Sequence, residues 1–135
     1  MIDHVTVRVS DFETSKAFYD CVLAPLGFGD ARLHEGFAEW GDFSIMQDGK
    51  PLSENLHIAF AAKSRDEVDS FHRVAMEAGY RDNGAPGERP IYHEGYYGAY
   101  VLDPDGNNVE AVFPRSMTES SRSLDPVLQL LRHGK

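Results

Sequence analysis

The sequence predicts an α+β fold made of two βαβββ modules, and three observations carry that prediction. Two alternating stretches, His4-Val5-Thr6-Val7 and His57-Ile58-Ala59-Phe60, lie fifty-three positions apart and open two similar halves. Each runs into a helical segment preceded by a capping-box pattern, Ser10-x-x-Glu13 and Ser64-x-x-Glu67. Phe18 and Phe71 then fall at the same offset on the two helices.

Residues 2–9 alternate as a half-buried strand does. Val5, Val7 and Val9 would face a helix layer, and His4, Thr6 and Arg8 the opposite side. The first helix is expected over about 11–24, burying Phe18, Cys21 and Val22 and ending at Pro25 and Gly27. Three short strands follow at about 28–33, 36–40 and 43–48. In the second half Leu56, Ile58 and Phe60 point one way, with His57, Ala59 and Ala61 on the other face. A helix over about 65–78 turns Val68, Phe71 and Ala75 inward and stops at Gly79.

The Gly/Pro-rich stretch 83–90 is expected to interrupt the next strand, and 83–96 reads either as a mobile loop or as an ordinary hairpin connection. Strands at about 97–102 and 108–113 flank Asp103-Pro104-Asp105-Gly106, a type I turn sequence. The two modules therefore occupy about 1–52 and 54–114. Residues 115–123 suggest a linker, and Leu124, Val127, Leu128 and Leu131 suit one side of a short amphipathic helix within a 115–135 tail.

Composition narrows the function classes. The chain has 135 residues, 41% of them hydrophobic and 26% charged, which suits one folded domain. A net charge of −9 argues against nucleic acid as partner, because phosphates need a cationic footprint. No stretch approaches the ~20 apolar residues of a membrane span, and the amino terminus reads as a strand, so a cytoplasmic protein is expected. Cys21 is the single cysteine, which excludes an intramolecular disulfide and a cysteine-rich zinc site.

Pleating supplies a candidate site. Val109, Ala111 and Phe113 share one face of the last strand, leaving Glu110 on the other with Asn108 and Val112. A carboxylate in the middle of an apolar strand is costly unless it is paired or bound to a cation. His4, His57 and Glu110 together form a 2-His-1-carboxylate set, which leaves coordination positions for substrate or water. The bland alternative is three unrelated residues on a solvated sheet face.

The runs Ile2-Asp3-His4-Val5 to Ala17-Phe18-Tyr19, and Tyr100-Val101-Leu102-Asp103-Pro104-Asp105-Gly106-Asn107-Asn108-Val109-Glu110, resemble the vicinal-oxygen-chelate superfamily of glyoxalases, bleomycin-resistance proteins and dioxygenases. The likeness covers about residues 1–114. It implies a glyoxalase-like fold, with two βαβββ modules forming a curved mixed sheet around a central groove. It also implies a divalent metal at His4, His57 and Glu110, with zinc, manganese, iron, nickel and cobalt all compatible. Such a metal would chelate two neighbouring oxygens of a small-molecule substrate. Tyr100 and Glu110 are the expected catalytic residues; Thr6, Arg8, Met46 and Tyr96 are expected to bind substrate. A homodimer is expected, because each module exposes sheet edges and half a groove.

Departures from the family pattern limit what the resemblance says about reaction. Aligning the halves puts Met46 opposite Glu110, where glyoxalase I and the epimerases resemble each other in having a fourth protein ligand. The fosfomycin-resistance members carry an arginine nine residues after the glutamate, where this chain has Glu119, with Arg115 out of register. The expected activity is therefore metal-dependent lyase, isomerase, thiol-transfer or oxygenase chemistry. The alternative is a metal-free, bleomycin-resistance-type binding protein, for which Phe37, Trp40, Tyr92, Tyr96 and Tyr97 would offer stacking surfaces.

Overall fold

The computed structural model describes residues 1–114; the expected tail of 115–135, with Arg115 and Glu119, lies outside the described residues. The first module runs β1 (Val5–Arg8), α1 (Phe12–Leu23), β2 (Arg32–His34), β3 (Phe37–Trp40) and β4 (Phe43–Met46), with a short 3₁₀ turn at Ala24–Leu26. The second runs β5 (His57–Ala61), α2 (Arg65–Glu77), β6 (Arg81–Glu88), β7 (Tyr97–Leu102) and β8 (Asn108–Phe113).

Each module makes its own four-stranded mixed sheet, in the order β1-β4-β3-β2 and β5-β8-β7-β6. The first strand pairs parallel to the last in both, and the remaining pairs are antiparallel. The fold is thus the expected glyoxalase-like α+β arrangement. Each module contributes one of the two four-stranded sheets.

Alternation divides each sheet into a covered and an open face. Val7, Ile45 and Ala38 are partners across β1, β4 and β3, and all three are buried. Phe60, Ala111 and Ala99 hold the matching place across β5, β8 and β7. The helices cover these faces and pack on each other, so the two halves share one core. Phe43 of the first sheet meets Phe60 of the second edge to face, 5.1 Å between ring centroids. Phe18, Tyr19, Phe71 and Val68 are fully buried in this core, each contributing about 1.5–3 kcal/mol by leaving water.

The helix starts differ in how they are made. Ser64 caps α2, its side chain accepting from the Glu67 amide at 3.1 Å, while Glu67 Oε1 accepts from the Lys63 amide at 2.8 Å. At α1 the cap is Asp11, which accepts from the Thr14 amide at 3.0 Å, and the Ser10–Glu13 box does not form. Ser10 instead bonds across the chain to Asp105, its amide lying 3.1 Å from Oδ2.

That bond belongs to a polar joint between the modules. Asp103, 1% exposed, accepts from the Tyr19 hydroxyl of α1 at 2.7 Å and from the Asp105 and Asn107 amides at 2.9 Å each. Asn107 Oδ1 in turn accepts from the Leu56 amide at 2.9 Å, fixing the entry to β5. Gly106, at φ +87°, closes the turn with its amide on the Asp103 carbonyl at 2.9 Å.

The segment expected to break the second sheet does not break it. Residues 81–88 form the edge strand β6, paired with β7 through two register shifts, at Asp82/Gly84 and Gly84/Gly87. An edge position tolerates Pro86, whose missing amide can face away from the ladder. Only residues 89–96 remain as connection.

Candidate metal centre

The open face of the second sheet carries one acid, and it is buried. Glu110 sits in the middle of β8, with Ala59 of β5 and Tyr100 of β7 as its cross-strand partners. Its exposure is 0%. Side chains on the open face roof it over. His57 Nε2 lies 2.6 Å from Oε1, and the Tyr96 hydroxyl donates to Oε2. The Tyr100 ring stands 6.2 Å from the His57 ring, centroid to centroid. Among the described residues no lysine or arginine pairs with Glu110.

The phenols are held protonated. Burial, and then the Glu110 carboxyl beside it, push Tyr100 up to about 12. Burial first, and then the hydrogen bond to Glu110, raise Tyr96 further. At neutral pH both therefore act as hydrogen-bond donors.

Gly98 makes the arrangement possible. It precedes Tyr100 by two on the same face, and a Cβ there would stand 3.0 Å from Glu110 Oε2 and 3.3 Å from Tyr96 Cε1. Arg89, not singled out in the sequence, lays its guanidinium 5.4 Å over the Tyr100 ring and donates to the Ala85 carbonyl at 2.8 Å. Neither Gly98 nor Arg89 carries a periodicity or motif signal that would have marked it.

The first sheet holds the other half of the expected set. His4 precedes β1, is exposed, and has Nδ1 2.8 Å from Asp3 Oδ1. With Thr6, Phe37, Glu39 and Ser44 it lines an open groove of about 390 Å³. Thr6 and Ser44 share a hydrogen bond of 2.8 Å. Arg8 is engaged by both oxygens of Asp48 at 3.1 Å, and Met46 is its half-buried strand partner.

The structure thus brings His57, Tyr96, Tyr100 and Glu110 together and puts His4, Thr6, Arg8 and Met46 on the other sheet. Among the described residues no three His, Cys, Asp or Glu side chains form a metal-binding group. Trp40, one of the expected stacking residues, is 2% exposed and donates to Asp20 at 3.1 Å, so it belongs to the core.

Strand register also revises the alignment of the halves. Ala59 pairs with Glu110, and its counterpart Thr6 pairs with Ser44. Ser44, not Met46, therefore matches Glu110. Met46 pairs with Arg8, whose counterpart Ala61 pairs with Val112.

An exposed imidazole nitrogen converging on a buried carboxylate oxygen supplies two donors suited to a divalent transition metal. Burial of an acid with only an imidazole and a phenol for company fits a place reserved for a cation.

The chain belongs to the Glyoxalase/Bleomycin resistance protein/Dioxygenase superfamily, whose family model matches residues 1–111. It is 34% identical to a glyoxalase/bleomycin resistance protein from Albidiferax ferrireducens T118, with a TM-score of 0.71, covering 82% of this chain and 95% of that one. It is also 27% identical over 124 residues to the uncharacterized protein YqjT of Bacillus subtilis (strain 168), covering 82% of this chain and 97% of that protein. A lactoylglutathione lyase from Agrobacterium tumefaciens shares the fold at 19% identity and a TM-score of 0.62, over 83% of this chain and 92% of that one. No helix among the described residues is long and apolar enough to cross a membrane.

Proposed function

We propose that this chain is a metal-dependent enzyme acting on a small oxygenated molecule, with each active site shared between two subunits. The observation that carries the reading is the fully buried Glu110 with His57 Nε2 2.6 Å from Oε1 and, among the described residues, no lysine or arginine paired with it. His57 and Glu110 would hold a divalent ion from one subunit, and His4 would come from the partner's exposed first sheet. Such an ion would act as a Lewis acid on two neighbouring substrate oxygens.

The chain's own residues then have distinct tasks. Tyr100, protonated at neutral pH, offers a hydrogen bond or a proton to an oxygen developing charge beside His57. Thr6, Ser44 and Phe37, on the open face of the first sheet, would form the opposite wall of the groove. Arg8, tied to Asp48, would shape that wall or exchange this partner for a substrate anion. A single cysteine and no possible intramolecular disulfide suit a reducing, cytoplasmic location.

The test is subunit complementation. His4→Ala and Glu110→Gln homodimers should each lack tightly held metal. Mixed and reassembled, the hybrid dimer should recover one metal per two chains, because one of its two sites is intact, and an equal mixture that reassembles at random about half that. Recovery of nothing, or a metal-loaded monomer in light scattering, would rule the shared site out.

A metal-free binding protein is the second reading, favoured by the separation of His4 from the His57–Glu110 pair within one chain. Tyr92, 60% exposed and 4.8 Å from the Tyr96 ring, would then provide the stacking surface. Metal analysis of the purified protein separates the two.

A further inference from the structure

We propose that Tyr96 is a positioning residue that restricts Glu110 to one coordinating oxygen, rather than a substrate contact. The inference rests on the reading of His57 and Glu110 as metal ligands. A carboxylate can bind a metal through one oxygen or two, and the choice changes how many positions remain for substrate. Here the two oxygens are already distinguished. Oε2 accepts the Tyr96 phenol, while Oε1 faces the imidazole of His57 at 2.6 Å. The Tyr96 hydroxyl donates its proton to Glu110.

The surroundings hold this phenol in place. Its ring is 9% exposed and is braced by the Tyr92 and His93 rings, at centroid distances of 4.8 and 5.0 Å. Its backbone is tied at both groups: the carbonyl accepts from the Arg89 amide at 2.7 Å, and the amide donates to the His93 carbonyl at 3.2 Å. Gly98 leaves the space through which phenol and carboxyl meet, since a Cβ would come within 3.0 Å of Oε2. Two positions on one short segment, 96 and 98, thus serve the same contact. Groups that orient metal ligands from behind commonly govern affinity by ten- to a hundredfold.

The experiment uses the full chain and cobalt(II) alone as probe. Affinity is read by calorimetry, and coordination number by the intensity of the visible absorption bands, which weaken as ligands are added. Tyr96→Phe should keep the far-UV spectrum and cobalt stoichiometry but bind about tenfold more weakly. Its visible bands should lose intensity as Oε2 joins Oε1 on the ion. Gly98→Ala, which crowds the same contact with the phenol present, should shift the bands as well. Tyr97→Phe is the control, because that phenol donates to Asp69 at 2.6 Å and not to Glu110. Unchanged affinity and bands in Tyr96→Phe would overturn the proposal, as would an equal change in Tyr97→Phe. If Tyr96→Phe does not fold, Gly98→Ala decides by the same bands. Failure of the wild-type chain to bind cobalt would overturn the metal reading itself, an outcome distinct from these.

Discussion

Ser44 stands in the first sheet where Glu110 stands in the second. Each is the strand partner of a residue two places after a histidine, Thr6 after His4 and Ala59 after His57. The two halves have nonetheless used this position differently. Ser44 donates to the Val5 carbonyl at 3.2 Å and accepts from Thr6 at 2.8 Å, so its hydroxyl serves the sheet. Glu110 has no such local use. The two halves are therefore asymmetric, with a buried acid at this strand position in the second sheet only.

Ser44→Ala should accordingly cost stability and leave the metal site intact. Two hydrogen bonds at a 3% exposed position are lost, and each is worth about 0.5–1.5 kcal/mol. Thermal unfolding should shift down while metal content measured by elemental analysis stays at the wild-type level.

Glu110→Gln should do the reverse. The amide keeps the shape of the acid and removes the need to bury a carboxylate, so the metal-free protein should melt at or above the wild-type temperature in the presence of chelator. Metal affinity should fall by at least about a hundredfold, because a neutral amide is a poor ligand. Calorimetric melting with and without chelator checks both halves; a loss of apo stability would show that Glu110 is kept for folding.

Tyr19 gives a pH-dependent prediction. Burial and the neighbouring Asp103 hold its phenol well above the ordinary value of about 10. Below that value both folded and unfolded chains keep the proton, and the Tyr19–Asp103 bond contributes fully. As pH rises past about 10 the unfolded chain releases its proton while the folded one does not, so stability falls. Tyr19→Phe should be about 1–3 kcal/mol less stable at neutral pH, since Asp103 loses a buried donor, and its stability should fall less steeply above pH 10. Urea unfolding at pH 7 to 11 reads both effects.

Much of the fold is legible in the sequence, and the exceptions have physical causes. The strands at 97–102 and 108–113 and the helix ending before Gly79 follow from alternation, a proline–glycine turn and a glycine stop, all of them local signals. The α1 cap was not legible, because Ser10 is drawn to Asp105, ninety-five residues away in sequence. Strand β6 was hidden by its own Gly84, Pro86 and Gly87, which an edge strand accommodates. Pleating singled out Glu110 and the repeat singled out His57, two residues whose side chains meet at 2.6 Å. The match of Met46 to Glu110 failed because strand register is set across the sheet and not along the chain. Tyr96 was noticed for its ring, but its bond to Glu110 crosses an irregular connection that carries no period.

The connection 89–96 offers a last test. Ile91 is 86% exposed and Tyr92 60%, while Tyr96 is buried at its end. Tyr92→Ala, which removes one of the two rings packed on Tyr96, should weaken cobalt binding by less than the about tenfold expected of Tyr96→Phe. It should weaken catechol binding to the cobalt-loaded protein by about three- to tenfold, the size of one aromatic contact. Equal catechol affinities would make the connection a mere linker.

The Asp103–Asn107 turn bears on how proteins of this kind are sorted. It is the most recognisable run in the chain, yet its buried side chains are committed to Tyr19, Leu56 and the turn's own amides. A search keyed on this run gathers chains of one architecture whatever reaction they perform, and a reaction-specific signature must be written instead from positions such as 44, 96, 98 and 100, where the open faces differ.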